Sequence, residues 1–232
     1  WEQIALPLLL KKHKVDVLFC PGNIAPFFSP SKTIQWIGTI GPFWDEFYKL
    51  KIPIMMKIKF RANKVLMWRT AQYSDRVIFE SEYCRKLFVS EYGIKPKRTE
   101  VIRIGKDNFF YPEIVEANEF KVNGMYIQKP FILCVSHLYE YKNFERLIEA
   151  FSIAKKNFPK GTTLVIAGSI IKQLYYQIIL QTIKRYGCES DVVYMGLVNK
   201  EDLRLLYSNC RVFVFPSPVE TIGIILVEAM SC

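Results

Sequence analysis

Glu220 and Glu228 stand in SPVETIGIILVEAM (217–230), separated by seven residues. Glu220 follows an apolar run and a Pro-bounded turn. Glu228 lies among Ile, Leu, Val, Ala and Met in a helical pattern, where a carboxylate needs a hydrogen-bond partner or water. A ribose diol would serve it. Glu220, ahead of the helix, can accept hydroxyl hydrogen bonds from a sugar. Gly223 lies between them, near the helix start, and a helix N-terminus after a small-residue turn offers backbone N–H groups to an anion. The same spacing also fits a surface Glu and a capping Glu, and spacing alone leaves both readings open.

A second group lies in VSHLYEYKN (135–143). Lys142 is a point charge suited to phosphate oxygens. His137 can donate to phosphate through one N–H when neutral and through two when protonated. A lone loop histidine is equally an ordinary surface residue. Gly168 of IAGS and Gly196 of MGLV close two apolar runs and allow a ligand to approach the backbone, as tight turns also would. No GxGxxG or Walker A loop is present.

The elements around these residues alternate. Strands are predicted at 130–137, 162–169, 191–198 and 211–218, each followed by a helix at 143–157, 171–187, 199–210 and from 223. Near-continuous apolar strands alternating with helices imply a parallel sheet covered on both faces. Ligands then bind beyond the carboxyl ends of the strands, where the residues above sit. Upstream, strands are expected at 15–20, 74–81 and 98–105 and in the apolar stretch that opens 33–43 before its Gly and Pro, with helices at 54–73 and 81–93. The segment 106–130 has little periodicity and reads as a linker.

With 32 Lys+Arg against 22 Asp+Glu, the 232-residue chain carries a net charge of +10. Half its residues are hydrophobic, which excludes disorder. Six scattered cysteines without a CxxC pair suggest free thiols in a reducing cytosol rather than a metal or disulfide framework. The basic residues are spread along the chain without a zinc finger, RNP motif or GXXG loop, so nucleic acid is not the expected partner. Most are solvated; the basic amphipathic stretch IPIMMKIKFRANKVLMWR also suits an anionic membrane surface. The run IALPLLL is too short to span a bilayer. Both ends fall inside helical patterns, so the sequence reads as an internal piece of a longer protein.

Taken in order, CVSHLYEYKNFERLIEAF (134–151), LVIAG (164–168) and VVYMGLVNKEDLRLLYSNCRVFVFPSPVETIGIILVEAMSC (192–232) resemble the donor-binding half of a retaining GT-B glycosyltransferase. The family is the glycosyl transferases group 1, often called glycosyltransferase family 4. AQYSDRVIFESEYCRKLFVSEYG (71–93) and VIRIGKDNFFYP (101–112) resemble the segment that closes its acceptor half. The resemblance implies an α/β fold of GT-B type, with two Rossmann-like parallel-sheet domains facing a cleft, both incomplete here. Residues 1–112 would form the acceptor domain, 113–130 the linker and 131–232 the nucleotide-sugar donor domain.

The resemblance makes Glu220 and Glu228 the family's E-x7-E pair. Glu220 then contacts the donor sugar, and Glu228 holds the ribose hydroxyls. The backbone of Thr221, Ile222 and Gly223 faces sugar and phosphate, and Lys142 is the phosphate-binding lysine. Gly168, Gly196 and Leu197 complete the donor-binding set. Glu220 and Lys142 carry the catalytic assignment. His137 replaces the family's usual Arg, which puts its role and the tightness of diphosphate binding in question. Near WIGTIGPFWDEF (36–47) the family's His-Asp or Arg-Asn pair is absent, and Asp45 and Glu46 are read as solvated helix residues. No metal or other cofactor is expected.

The implied reaction moves a hexose-type sugar from a nucleotide-diphosphate sugar to a glycan or lipid-linked acceptor, with retention. The implied location is cytoplasmic or peripheral on the cytoplasmic membrane face. The 232 residues alone are expected to be inactive and marginal in stability. The alternatives are a non-catalytic nucleotide-sugar-binding module and, within the fold, an epimerase or a phosphorylase.

Overall fold

A computed structural model describes residues 1–49 and 54–232. Residues 50–53, which carry part of the basic stretch, lie outside the described residues, as does the side chain of Glu46. Two compact units divide the chain. Unit 1 holds Trp1–Gly105 together with Val219–Ile222, and unit 2 holds Lys106–Pro218 together with Gly223–Cys232.

Unit 1 contains α1 (Ala5–Lys12), β1 (Val17–Cys20), β2 (Lys32–Ile37), α2 (Ile54–Tyr73), β3 (Arg76–Phe79), α3 (Glu82–Ser90) and β4 (Thr99–Val101). Its sheet has the order β1-β2-β3-β4, parallel throughout. In β3, exposed Arg76 precedes buried Val77 and Phe79, a period of two that turns one face to the core. Phe79, Phe88 and Phe43 meet there, with ring centroids 5.1 and 4.5 Å apart. Ser81 caps α3 by accepting from the Cys84 N–H. The buried side chain of Gln35 is satisfied by Asn23 O at 2.7 Å, Met67 O at 3.3 Å and the Ser74 hydroxyl at 3.0 Å.

The strand expected over 98–105 stops at Val101, because β3 pairs no further than Phe79. A last bond runs from Ile102 N to Phe79 O, and Ile104 beyond it is exposed. Helix α2 has the predicted bounds. It has no acidic residue and carries Lys57, Lys59, Arg61, Lys64 and Arg69. Ile54, Met55, Ile58 and Val65 are exposed, and their spacing gathers them on one helical face.

Unit 2 begins with a feature that the aperiodic segment concealed. β5 (Glu119–Val122) and β6 (Met125–Gln128) form an antiparallel hairpin. Asn123 and Gly124 join them with φ of 49° and 80°, the double left-handed geometry that Asn-Gly favours. Phe120, Val122 and Ile127 turn from the hairpin into the core.

The main sheet of unit 2 has the order β10-β7-β8-β9, all parallel. Its strands are β7 (Phe131–Val135), β8 (Thr163–Ala167), β9 (Val192–Gly196) and β10 (Val212–Phe213). Alternation along them feeds two cores. Ile132, Cys134, Leu164 and Ile166 face α4 (Phe144–Ala154) and α5 (Gln173–Arg185). Phe131, Leu133, Val135, Val165 and Ala167 join Leu206 and Tyr207 of α6 (Lys200–Asn209) and the hairpin. β7 is therefore buried at every position, as its unbroken apolar run required. β10 is shorter than expected. Its last ladder bond is Val214 N to Leu133 O, and Pro216 and Pro218, which lack an N–H, follow. A seven-residue helix, α7 (Ile224–Met230), closes the chain.

All six cysteines are free thiols, and Cys20, Cys84, Cys134 and Cys188 are buried. Burial pushes the Cys134 thiol up to about 12 and those of Cys20 and Cys210 to about 11. Among the described residues no helix is long and apolar enough to cross a membrane.

Candidate functional site

Four residues singled out in the sequence come together at the carboxyl ends of adjacent strands in unit 2: His137 and Lys142 after β7, Gly168 after β8 and Gly196 at the end of β9. The ladder continues into these loops. Ser136 N donates to Ala167 O at 2.9 Å, Leu138 N to Ser169 O at 2.9 Å and Gly168 N to Gly196 O at 2.8 Å. Gly168 has φ of +144°, and a Cβ there would lie 1.9 Å from Ser136 O. Only glycine permits the two strand ends to meet this closely.

This close approach also orients His137. The Ser169 N–H donates to its Nδ1 at 3.4 Å. A ring that accepts at Nδ1 carries its proton on Nε2 when neutral, so His137 presents an Nε2–H donor. The neutral ring thus offers one donor, where an arginine would bring a permanent fork.

Lys142 ends a 3₁₀ turn, Glu140–Lys142, that the Lys172–Glu140 ion pair holds at 2.7 Å. The Lys142 N–H bonds back to Tyr139 O at 2.9 Å. Asn143 then takes left-handed φ of 65° and opens α4, while its side-chain amide reaches Pro216 O at 3.4 Å. Lys142 Nζ lies 5.0 Å from the Tyr141 ring centroid and 4.9 Å from that of Phe215.

Glu228 is half-buried on α7. The Tyr207 hydroxyl donates to its Oε2 at 3.4 Å. Burial raises the Glu228 carboxyl above the usual range, and the Tyr207 bond and the Lys200 charge oppose that rise in part. Gly223, with φ of +71°, precedes α7, and Leu197 is exposed beyond β9. Glu220, Thr221 and Ile222 fall in unit 1 instead, where the Thr221 hydroxyl donates to Gly38 O at 3.1 Å and Val219 packs on the core. Asp45 is exposed, with Lys64 Nζ at 3.5 Å. Among the described residues no three His, Cys, Asp or Glu side chains gather where they could hold a metal ion.

Tyr207, Tyr141, Phe215 and Ser169 were not singled out in the sequence. Tyr207 had a signal: a tyrosine on the buried face of an amphipathic helix needs a partner for its hydroxyl. The roles of the others depend on which loops become neighbours.

The raised Glu228 carboxyl has a stability consequence. Its charged form is penalised in the fold, so the cost is fully present at neutral pH. That cost fades as pH falls through the folded value toward 4.5. Glu228→Gln is expected to stabilise the protein at pH 7 by about 0.5 kcal/mol, the group being largely solvent-screened. Thermal melts of both proteins across pH 4–8, on the order of one unit per step, should converge at the acid end.

Residues 115–232, more than half of the 232-residue chain, match the family described as Glycosyl transferases group 1. The chain belongs to that family. A relative, the serotype-specific mannosyltransferase WbdA of Escherichia coli, is 33% identical over 198 residues, covering 82% of this chain and 22% of WbdA. Mannosylfructose-phosphate synthase of Agrobacterium fabrum is 26% identical over 174 residues, 73% of this chain and 38% of that protein. The chain thus spans well under half the length of either relative. HepE of Anabaena, solved with UDP and glucose, superposes with a TM-score of 0.72 at 21% identity, over 97% of this chain and 59% of HepE. WaaG, a glycosyltransferase involved in lipopolysaccharide biosynthesis, gives 0.67 at 18% identity, over 97% of this chain and 60% of WaaG. These superpositions show the GT-B glycosyltransferase fold.

Proposed function

We propose that the protein transfers a hexose-type sugar from a nucleoside-diphosphate sugar to a glycan or lipid-linked acceptor, with retention. The observation that carries this reading is the convergence of His137, Lys142, Gly168 and Gly196 at the strand ends of one parallel sheet in unit 2. Lys142 and the Nε2–H of His137 supply positive charge and a hydrogen bond to the diphosphate, and the glycines let it approach the backbone. In this reading these side chains, rather than a metal ion, meet the leaving charge. Glu228 accepts from the ribose hydroxyls, and Glu220 from the donor sugar.

As the bond between the anomeric carbon and the phosphate oxygen breaks, charge grows on the diphosphate. The acceptor oxygen bonds to that carbon on the same face, and its proton passes to the departing phosphate oxygen. WbdA is named a mannosyltransferase, which makes mannose the first sugar to try. Full-length protein incubated with GDP-mannose, UDP-glucose and related donors should release nucleoside diphosphate from at least one. Binding of a donor without release or transfer, for every donor and acceptor tried, would favour a non-catalytic binding module and overturn the proposal.

The exposed face of α2 favours a peripheral location in addition. Ile54, Met55, Ile58 and Val65 lie beside Lys59, Arg61 and Arg69 on a helix without acidic residues. Apolar side chains there enter the headgroup layer while the cations meet lipid phosphates. The protein should sediment with phosphatidylglycerol vesicles at low salt, release at high salt, and ignore phosphatidylcholine vesicles.

A further inference from the structure

Lys142 lies over two aromatic rings that the proposed reaction does not itself require. Its Nζ lies 5.0 Å from the Tyr141 centroid and 4.9 Å from that of Phe215. Both distances are within the range in which a ring face attracts an ammonium. Each ring is stacked in turn on a neighbour two residues back. Tyr141 lies on Tyr139 at 5.5 Å and 21°, and Phe215 on Phe213 at 6.5 Å and 16°. The two ring pairs come from the loop after β7 and from the end of β10, adjacent parallel strands. The Asn143 amide, bonded to Pro216 O, ties the loops together beside the lysine.

We propose that Tyr141 and Phe215 are positioning residues that hold the Lys142 ammonium in place before the donor arrives. The proposal rests on the reading of Lys142 as the diphosphate lysine. A lysine has four side-chain torsions, and immobilising such a chain costs about 0.5–1.5 kcal/mol at the moment of binding. Two ring faces near the ammonium restrict those torsions in the unliganded protein. They attract the charge through the ring quadrupole and not as oxygen acceptors. The clamp therefore strengthens binding to the diphosphate portion of a donor and leaves binding to the nucleoside portion untouched.

Calorimetric titration of the full-length protein with inorganic pyrophosphate, UDP, GDP, uridine and guanosine tests this. Phe215→Leu and Tyr141→Leu keep apolar volume and remove the ring. Each should weaken pyrophosphate and nucleoside diphosphate by about fivefold, the ordering cost of one lysine. Phe215→Tyr restores a ring face and should bind as wild type does. Nucleoside affinity should stay constant throughout.

If the leucine variants bind pyrophosphate like wild type while Lys142→Ala loses it, the clamp is refuted and the diphosphate reading survives. If Lys142→Ala also binds like wild type, both fall. A parallel loss of nucleoside affinity in the leucine variants would mean general damage to the loop, and would likewise overturn the clamp.

Discussion

Sugar transfer by a Lys142→Ala variant of the full-length protein is expected to fall by about two to three orders of magnitude in kcat. In the proposed reaction the diphosphate gains charge as the sugar leaves. A cation fixed beside it is worth more in the transition state than in the ground state, so the loss should fall on kcat more than on KM. Lys142 is well placed for this. It ends a short turn pinned by the Lys172–Glu140 pair and by its own N–H to Tyr139 O. Lys142→Arg should recover only part of the rate, because a planar guanidinium spreads its charge and places its donors differently from a compact ammonium. The fold should be little affected, since Lys142 belongs to no buried core and its turn is held by the backbone. Steady-state kinetics with the best donor, beside a thermal melt, gives the answer. A Lys142→Ala enzyme within about threefold of wild type would remove Lys142 from the chemistry.

Gly168→Ala is expected to be the most destabilising single methyl in unit 2, at about 3–5 kcal/mol. Its Cβ would lie 1.9 Å from the Ser136 carbonyl oxygen and 2.5 Å from the carbonyl carbon. Both are backbone atoms, so no side-chain rotation relieves the clash. The φ of +144° adds strain for any L side chain. To survive, the ends of β7 and β8 must part. That breaks the Ser169 N–H bond to His137 and disturbs the Tyr194 hydroxyl bond to Gly168 O at 2.7 Å. The melting temperature should drop by about 10 °C, and the variant that does fold should bind nucleoside diphosphate more weakly. A variant as stable as wild type would show that the strand ends have more room than their hydrogen bonds suggest.

Much of the architecture could be read from the chain. The alternation of apolar runs and amphipathic segments after residue 130 placed four strands and four helices in unit 2, because each run is long enough to bury a strand on both faces. α2 was legible to its ends. The hairpin at 119–128 has only a short local signal in the sequence. Asn123-Gly124 sits between the alternating stretches EFKV and MYIQ, and that dipeptide suits the left-handed turn. β4 and β10 were drawn too long because strand length depends on a partner, and a sequence does not display where its partner stops.

The site divides in the same way. Residue types at strand ends, with Lys142 and the paired glutamates, were available from spacing and from family resemblance. Which groups orient them was not. Ser169 against His137, Tyr207 against Glu228, and Phe215 against Lys142 are meetings of loops and helices distant in sequence. The placement of Val219–Ile222 with unit 1 was equally hidden, since nothing in PVETIG declares which body it packs on.

The buried thiols provide a way to time motion in this protein. Cys84 lies wholly inside unit 1, while Cys134 is the fourth of the five residues of β7 in unit 2, with its thiol pushed to about 12. Neither can meet an alkylating reagent until the structure around it opens. Each unit therefore carries its own internal clock. Mass spectrometry of alkylated peptides would record the opening of the two bodies separately, in one sample and without a foreign label. Adding a nucleotide sugar would then show which clock it slows.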